Sequence, residues 1–321
     1  MSSNMSNNSN SSHISTQNTA ALARRANGKP DFSGIWVALI TPFTDSADAA
    51  IDFPALQTLA KKLIADGATG LVVCGSTGEA AALSSDEQLQ VLDAVLAVVP
   101  ARQVIMGLSG NHMQNVLDRL ALTGQRQVAG VLVTAPYYIR PSQAGVLHYF
   151  QTIANASAVP VLLYNIPYRT GVNMELPTLR ELARHDNIVA IKDCGGNLHA
   201  TMQLIIDDEI QVLAGEDHQV FSTLCLGGTG AILASAHLRP DLFARMHKLI
   251  SEGQLDQARS IFYHLLPVMQ ALFEEPNPAP LKAVLASIYP MQANLRAPMQ
   301  NASIAMNEKI LQAYACLQDV P

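Results

Sequence analysis

Apolar runs rich in β-branched residues recur along the chain, each ending in turn residues. They are IWVALITPF from Ile35, GLVVCGSTG from Gly70, QVIMGLSG from Gln103, GVLVTAPYY from Gly130, PVLLYNIP from Pro160, IVAIKDCGG from Ile188, QVLAGED from Gln211 and GAILASA from Gly230. Near-continuous apolar runs bounded by Gly or Pro predict strands buried on both faces. Between them, apolar residues spaced three and four apart at 53–65, 85–98, 115–122, 143–153 and 177–183 predict amphipathic helices. Strand and helix thus alternate, and right-handed crossovers make the sheet parallel.

Eight such units over about 200 residues predict an α/β fold, a closed (β/α)8 TIM barrel. An open doubly wound sheet is the alternative, but its first strand should lead into a G-x-G-x-x-G turn, and ITPFTDS stands there instead. After Pro240 the pattern is helical only, at 241–250, 255–273, 280–288 and 302–317. The first of these is expected to close the barrel and the rest to form a C-terminal helical appendage. The expected organisation is a disordered extension over 1–30, a catalytic barrel over 31–250 and a helical region over 251–321.

Composition narrows the function classes. The chain has 321 residues, is 49% hydrophobic, and carries a net charge of -6 with a pI near 5.8. It has no basic field for a phosphate backbone, so no nucleic acid is expected. No apolar stretch reaches the roughly 20 residues of a bilayer span, so no membrane is expected either. The Ser/Asn-rich start (MSSNMSNNSNSSHIS) has no apolar core and cannot be a secretory signal. Arg24, Arg25 and Lys29 without an acidic residue leave a transit peptide as a second reading of this segment. Cys74, Cys194, Cys225 and Cys316 show no CxxC or metal-ligand spacing, which fits reduced thiols and a cytoplasmic setting.

The candidate chemistry lies where the runs end, because a barrel of this kind gathers its chemistry at the C-terminal ends of its strands. Lys192 closes the sixth run. A strand interior is a costly place for an ammonium, and desolvation there would lower its pKa and free a nucleophilic amine. The alternative is a lysine just past the strand, with its head in water. Around it the other ends supply Thr41, the GSTGE stretch at 75–79, Tyr137, Tyr138 and Arg140, Tyr164 and Arg169, Gly215, and Ser235. In GSTGE the glycines permit a tight turn whose amides and hydroxyls could surround a carboxylate near a helix start, or simply cap that helix. Hydroxyls dominate where a metal site would need converging His or carboxylates, so no metal is expected.

At GSTGE, PYYIRPSQ, YNIPYRTG and IKDCGGN, in this order, the sequence resembles the dihydrodipicolinate synthase and N-acetylneuraminate lyase family, the class I pyruvate-dependent aldolases. The resemblance runs from about Gly34 to EEPNPAPLK near Lys282. It implies a barrel enzyme, usually a homotetramer built as a dimer of dimers, in which Lys192 forms a Schiff base with pyruvate. It implies that Ser76 and Thr77 hold the pyruvate carboxylate, that Tyr164 and Ser76 relay protons, and that Tyr138 completes the relay from a neighbouring subunit. Gly215 and Ile232 would supply main-chain contacts near bound pyruvate.

Arg169 matches the residue that holds the carboxylate of L-aspartate 4-semialdehyde, which implies the synthase branch. That branch makes 4-hydroxy-tetrahydrodipicolinate, on the route to lysine and diaminopimelate. Ser76 departs from that branch, which commonly has a second threonine there, and keeps open another pyruvate-lysine lyase, aldolase or dehydratase acting on a 2-keto acid. No cofactor is expected, because the imine is the electron sink. Two further readings of the lysine stay open: a pyridoxal phosphate barrel with GGTG at 227–230 holding the phosphate, and a barrel that binds without catalysis.

Overall fold

A computed structural model of the chain describes residues 22–318 and residue 320. Eight parallel strands close into one barrel in sequence order. They are β1 (Gly34–Ala38), β2 (Gly70–Val73), β3 (Val104–Leu108), β4 (Gly130–Thr134), β5 (Val161–Asn165), β6 (Ile188–Asp193), β7 (Gln211–Ala214) and β8 (Gly230–Leu233), and β1 pairs with β8 to complete the ring. Each expected strand is present. The helices Leu198–Asp207 and Val220–Cys225, which periodicity alone does not mark, complete the outer ring between β6, β7 and β8. Helices Pro240–Ser251, Leu255–Ala271, Ala279–Ile288 and Ile304–Gln318 follow the barrel.

Alternating side chains divide the interior into two cores. One face of the strands packs outward on the helices, in a cluster that runs without a break from Leu56 through Leu265 to Leu285 and Ile310. The other fills the barrel lumen with Trp36, Val72, Ile105, Leu132, Leu162 and Leu213, among others. Gly70 is what admits the indole: a Cβ there would stand 2.3 Å from the Trp36 ring. The lumen is therefore a packed solid, and room for a ligand exists only at its C-terminal mouth.

Register decides what faces that mouth. Along β5 and β6 the pairing shifts between Val161 and Leu162, opposite Ile188 and Ala190, so that Val189 is an extra residue. A bulge of this kind turns the rest of the strand by one position. After it, Ala190 pairs with Leu162 and Lys192 with Tyr164, and Ala190 and Leu162 join Tyr164 in the luminal cluster.

The segment before β1 corrects one expectation. Residues 22–30, expected to be disordered, lie against the N-terminal face of the barrel. Lys29 donates to the carbonyls of Ala183 at 2.9 Å, Ile188 at 3.1 Å and Glu209 at 3.2 Å, while Arg25 pairs with Asp208. Leu22 packs on the luminal cluster. Lys29 thus gathers the free carbonyls of a helix end and of the entries to β6 and β7, while Arg25 pairs with a carboxylate before β7. The rest of the expected extension, 1–21, lies outside the described residues.

Beyond β8, His237 is buried with its Nδ1–H donating to the Ala234 carbonyl at 2.7 Å and its Nε2 accepting from the Ile40 amide at 3.2 Å. Burial pushes its pKa from 6.5 down to about 4. The unfolded chain binds this proton near 6.5 and the folded chain only near 4, so the stabilisation is whole above pH 6.5 and disappears as pH falls towards 4. The loss amounts to roughly 3 kcal/mol. Urea unfolding between pH 7 and 4.5 should show a steeper loss of stability in the wild type than in His237→Gln. Equal slopes would remove His237 as the cause.

Candidate active site

Lys192 sits on β6 between Tyr164 and Leu213 on the neighbouring strands, 6% exposed, with Nζ 4.4 Å from the centroid of the Tyr164 ring. Its pKa is lowered. Burial is the main cause, opposed by the charge of Cys194, Asp217 and Glu216 and assisted by Arg169. The amine is thus held in the barrel mouth and biased towards its neutral, nucleophilic form. Tyr164 is buried as well. Desolvation raises its hydroxyl well above 10, and a hydrogen bond from Ser76 works against that rise.

Beside this pair opens a cleft of about 230 Å³ whose walls include Ser76, Leu132, Thr134, Tyr137, Tyr164 and Arg169. Lys192 is not part of that lining and adjoins the cleft through Tyr164. The GSTGE stretch forms the tight turn its glycines allow, with Gly78 N donating to Gly75 O at 3.1 Å and Glu79 N to Ser76 O at 3.2 Å. The turn leads into a single 3-10 turn, Ala80–Ala82, and the α-helix begins only at Ser85. An anion held here would therefore feel hydroxyls and amides rather than an adjacent helix terminus.

Thr77 is buried and its Oγ1 takes a hydrogen bond of 3.0 Å from Asn277 Nδ2. Thr41, expected among the ring of hydroxyls, braces the turn instead by donating to Gly78 O at 2.8 Å. Gly215 has to be glycine, since a Cβ would lie 2.3 Å from Cys194 Sγ and 3.0 Å from Lys192 Cγ. Ile232 on β8 is fully buried in the luminal cluster with Tyr164. Ser235 is buried and its amide donates to Asp217 Oδ1 at 2.6 Å.

Tyr138 does not join these residues. It is 89% exposed, at φ +71°, with its amide bonded to Thr170 O at 3.1 Å. A left-handed tyrosine is strained, so the loop has been bent to present this side chain outward. Among the described residues, no group of three or more His, Cys, Asp or Glu side chains could hold a metal ion.

Several contacts of the site were not indicated by the sequence patterns. Glu79, at φ +55°, forms a buried ion pair with Lys282, Nζ to Oε1 2.5 Å, both side chains 3% exposed or less. Lys282 also donates to Asn294 O at 2.8 Å and lies 4.1 Å above the Phe43 ring. Through it and Asn277, the C-terminal helices hold the turn that carries Ser76 and Thr77. Glu216, Asp217 and Cys194, just past the ends of β6 and β7, act on the charge of Lys192. The signal for Lys282 was available: like Lys192, it interrupts an apolar run, PLKAVLASI.

A model described as the dihydrodipicolinate synthetase family matches residues 31–315. The 4-hydroxy-tetrahydrodipicolinate synthase of Syntrophobacter fumaroxidans is 38% identical over 293 residues, covering 89% of this chain and 100% of that protein. A solved dihydrodipicolinate synthase superposes with a TM-score of 0.85 at 35% identity, over 90% of this chain and 99% of that one. The enzyme of Acinetobacter baumannii, solved in complex with pyruvate, does so with a TM-score of 0.86 at 28% identity, over 90% and 100%.

The buried pair gives a testable consequence. Lys282→Met leaves the Glu79 carboxylate uncompensated and should cost about 3–5 kcal/mol in urea unfolding. Adding Glu79→Leu should recover most of that loss. Additive losses in the double variant would show that the two groups do not depend on each other.

Proposed function

The chain belongs to the dihydrodipicolinate synthetase family, and from that membership we infer that it is a lyase of the class I aldolase type, a 4-hydroxy-tetrahydrodipicolinate synthase. It condenses pyruvate with L-aspartate 4-semialdehyde in lysine biosynthesis. The observation that carries this reading is the desolvated Lys192 amine beside Tyr164, at the edge of a cleft that also holds Ser76 and Arg169.

The Lys192 amine attacks the pyruvate ketone and loses water, giving an iminium that acidifies the methyl group. Loss of a methyl proton gives an enamine, whose carbon attacks the aldehyde of the second substrate. The amino group of that substrate then attacks the imine carbon and expels Lys192, releasing the cyclic product. The balance is one water for the condensation, and the electron pairs stay within substrate and lysine.

Ser76 and Thr77 would hold the pyruvate carboxylate, with main-chain help from Gly215 and Ile232. Tyr164 and Ser76 would carry protons to and from the imine nitrogen and the aldehyde oxygen, which suits a tyrosine that burial keeps protonated. Arg169 would hold the second carboxylate. Its guanidinium offers the planar fork that a carboxylate matches. Tyr138 would enter the cleft of an adjacent subunit in a homotetramer, a reading supported by its exposure and outward loop. All four cysteines are free thiols, in keeping with a cytoplasmic setting, and no helix among the described residues is long and apolar enough to cross a membrane.

Borohydride added with pyruvate should inactivate the enzyme and leave one reduced pyruvyl group on Lys192, read by peptide mass. Full inactivation with an unmodified Lys192 peptide would end this assignment. For Tyr138, mixing inactive Tyr138→Phe with inactive Lys192→Ala protein should restore partial activity once subunits exchange, since a hybrid interface regenerates one complete site. Hybrids proven by mass spectrometry yet without activity would count against a donated tyrosine.

A further inference from the structure

Glu216 directly follows Gly215 at the end of β7, and the roles given above leave its carboxylate without a task. The glycine before it packs directly on Lys192 Cγ and Cys194 Sγ, and the Glu216 charge acts on Tyr168, Cys194 and Lys192. Its Oε1 is buried and has no hydrogen-bond partner. An unpartnered carboxylate oxygen is costly unless a donor arrives. Tyr168 is 66% exposed, and the Arg169 Cζ stands 6.0 Å from the centroid of its ring. A guanidinium and a carboxylate therefore approach the same tyrosine at the barrel mouth, beside the lysine.

This pairing of opposite charges suits a zwitterion. An aldehyde that carries only a carboxylate needs Arg169 alone, whereas one that also carries an ammonium three bonds from that carboxylate's oxygens leaves a cation to be matched. We propose that Glu216 is a specificity-determining residue that accepts the ammonium group of the second substrate, so that the site takes aldehydes of the 2-amino-carboxylate class. The proposal rests on the synthase reading above. Tyr168 acts as a positioning residue, since its ring stands beside the Arg169 guanidinium and its hydroxyl feels the Glu216 charge.

The test compares L-aspartate 4-semialdehyde with succinic semialdehyde, which keeps the aldehyde and carboxylate and lacks the amine. In Glu216→Gln enzyme the KM for the amino aldehyde should rise roughly tenfold to hundredfold, the size of a charge-assisted hydrogen bond. Inhibition by succinic semialdehyde should change less than about twofold, and borohydride trapping of pyruvate should proceed. Tyr168→Phe, altered at an exposed position and so a safe second variant, should raise the same KM by a smaller factor. Equal weakening of both aldehydes, or failure of pyruvate trapping, would make Glu216 a structural support for Tyr168 and Lys192. An unchanged KM would also overturn the proposal. Wild-type enzyme that traps pyruvate but does not turn over aspartate semialdehyde would overturn the synthase reading, and this inference with it.

Discussion

Taking one ammonium group out of water is the constraint on which the site depends. Lys192 stands at the top of a lumen filled by Trp36, Leu132, Leu162 and Leu213, and nothing below it can solvate a charge. A charged lysine there is penalised by burial, which lowers its pKa against the opposing pull of Asp217 and Glu216. The extra residue Val189 puts the lysine in this position, because without the bulge Ile191 would face the mouth and Lys192 the helices. One inserted residue in β6 thus decides whether the barrel mouth holds a lysine.

The C-terminal helices belong to the same device. Helix Ala279–Ile288 and the loops on either side of it hold the Gly75 to Glu79 turn by three bonds: Asn277 to Thr77 at 3.0 Å, Lys282 to Glu79 at 2.5 Å, and the Arg296 amide to Glu79 Oε2 at 3.2 Å. Buried ion pairs contribute little net stability after desolvation, but they fix geometry, since each partner left alone is expensive. The left-handed backbone at Glu79 costs about 1–3 kcal/mol and persists only where its surroundings over-determine it. The pair with Lys282 supplies that restraint, so the position of Ser76 is set by helices outside the barrel.

The strands and most helices were legible because burial on both faces and burial on one face leave different periods in the sequence. Helix Val220–Cys225 was not: six residues are too few for a period of 3.6 to show. The strap at residues 22–30 was hidden for another reason. Its polar composition reads as solvated chain, and only the fold reveals that Lys29 meets the carbonyls of Ala183, Ile188 and Glu209. Within the site, Ser76, Thr77, Tyr164, Arg169, Lys192 and Gly215 stood out because each ends or follows an apolar run. Glu216 and Cys194 also do, yet a carboxylate or thiol beside Gly has many uses, and only the fold brings Tyr168 and Lys192 from the neighbouring strands to its side.

Two lysines, not one, interrupt apolar runs, and both have lowered pKa values, Lys282 to about 8. Desolvation alone therefore does not say which is the nucleophile. Lys282 has its ammonium satisfied on three sides, by Glu79 at 2.5 Å, by the Asn294 carbonyl at 2.8 Å and by the face of Phe43 at 4.1 Å. Freeing its lone pair would break an ion pair and strand a buried carboxylate, which costs several kcal/mol. Lys192 has the Tyr164 ring at 4.4 Å beside it and adjoins the cleft through that ring, and losing its proton breaks no ion pair, although Asp217 and Glu216 favour its charged form. Burial lowers the pKa of both lysines, and the difference is that Lys282 is closed in an ion pair with Glu79 while the carboxylates of Glu216 and Asp217 act on Lys192 without forming one.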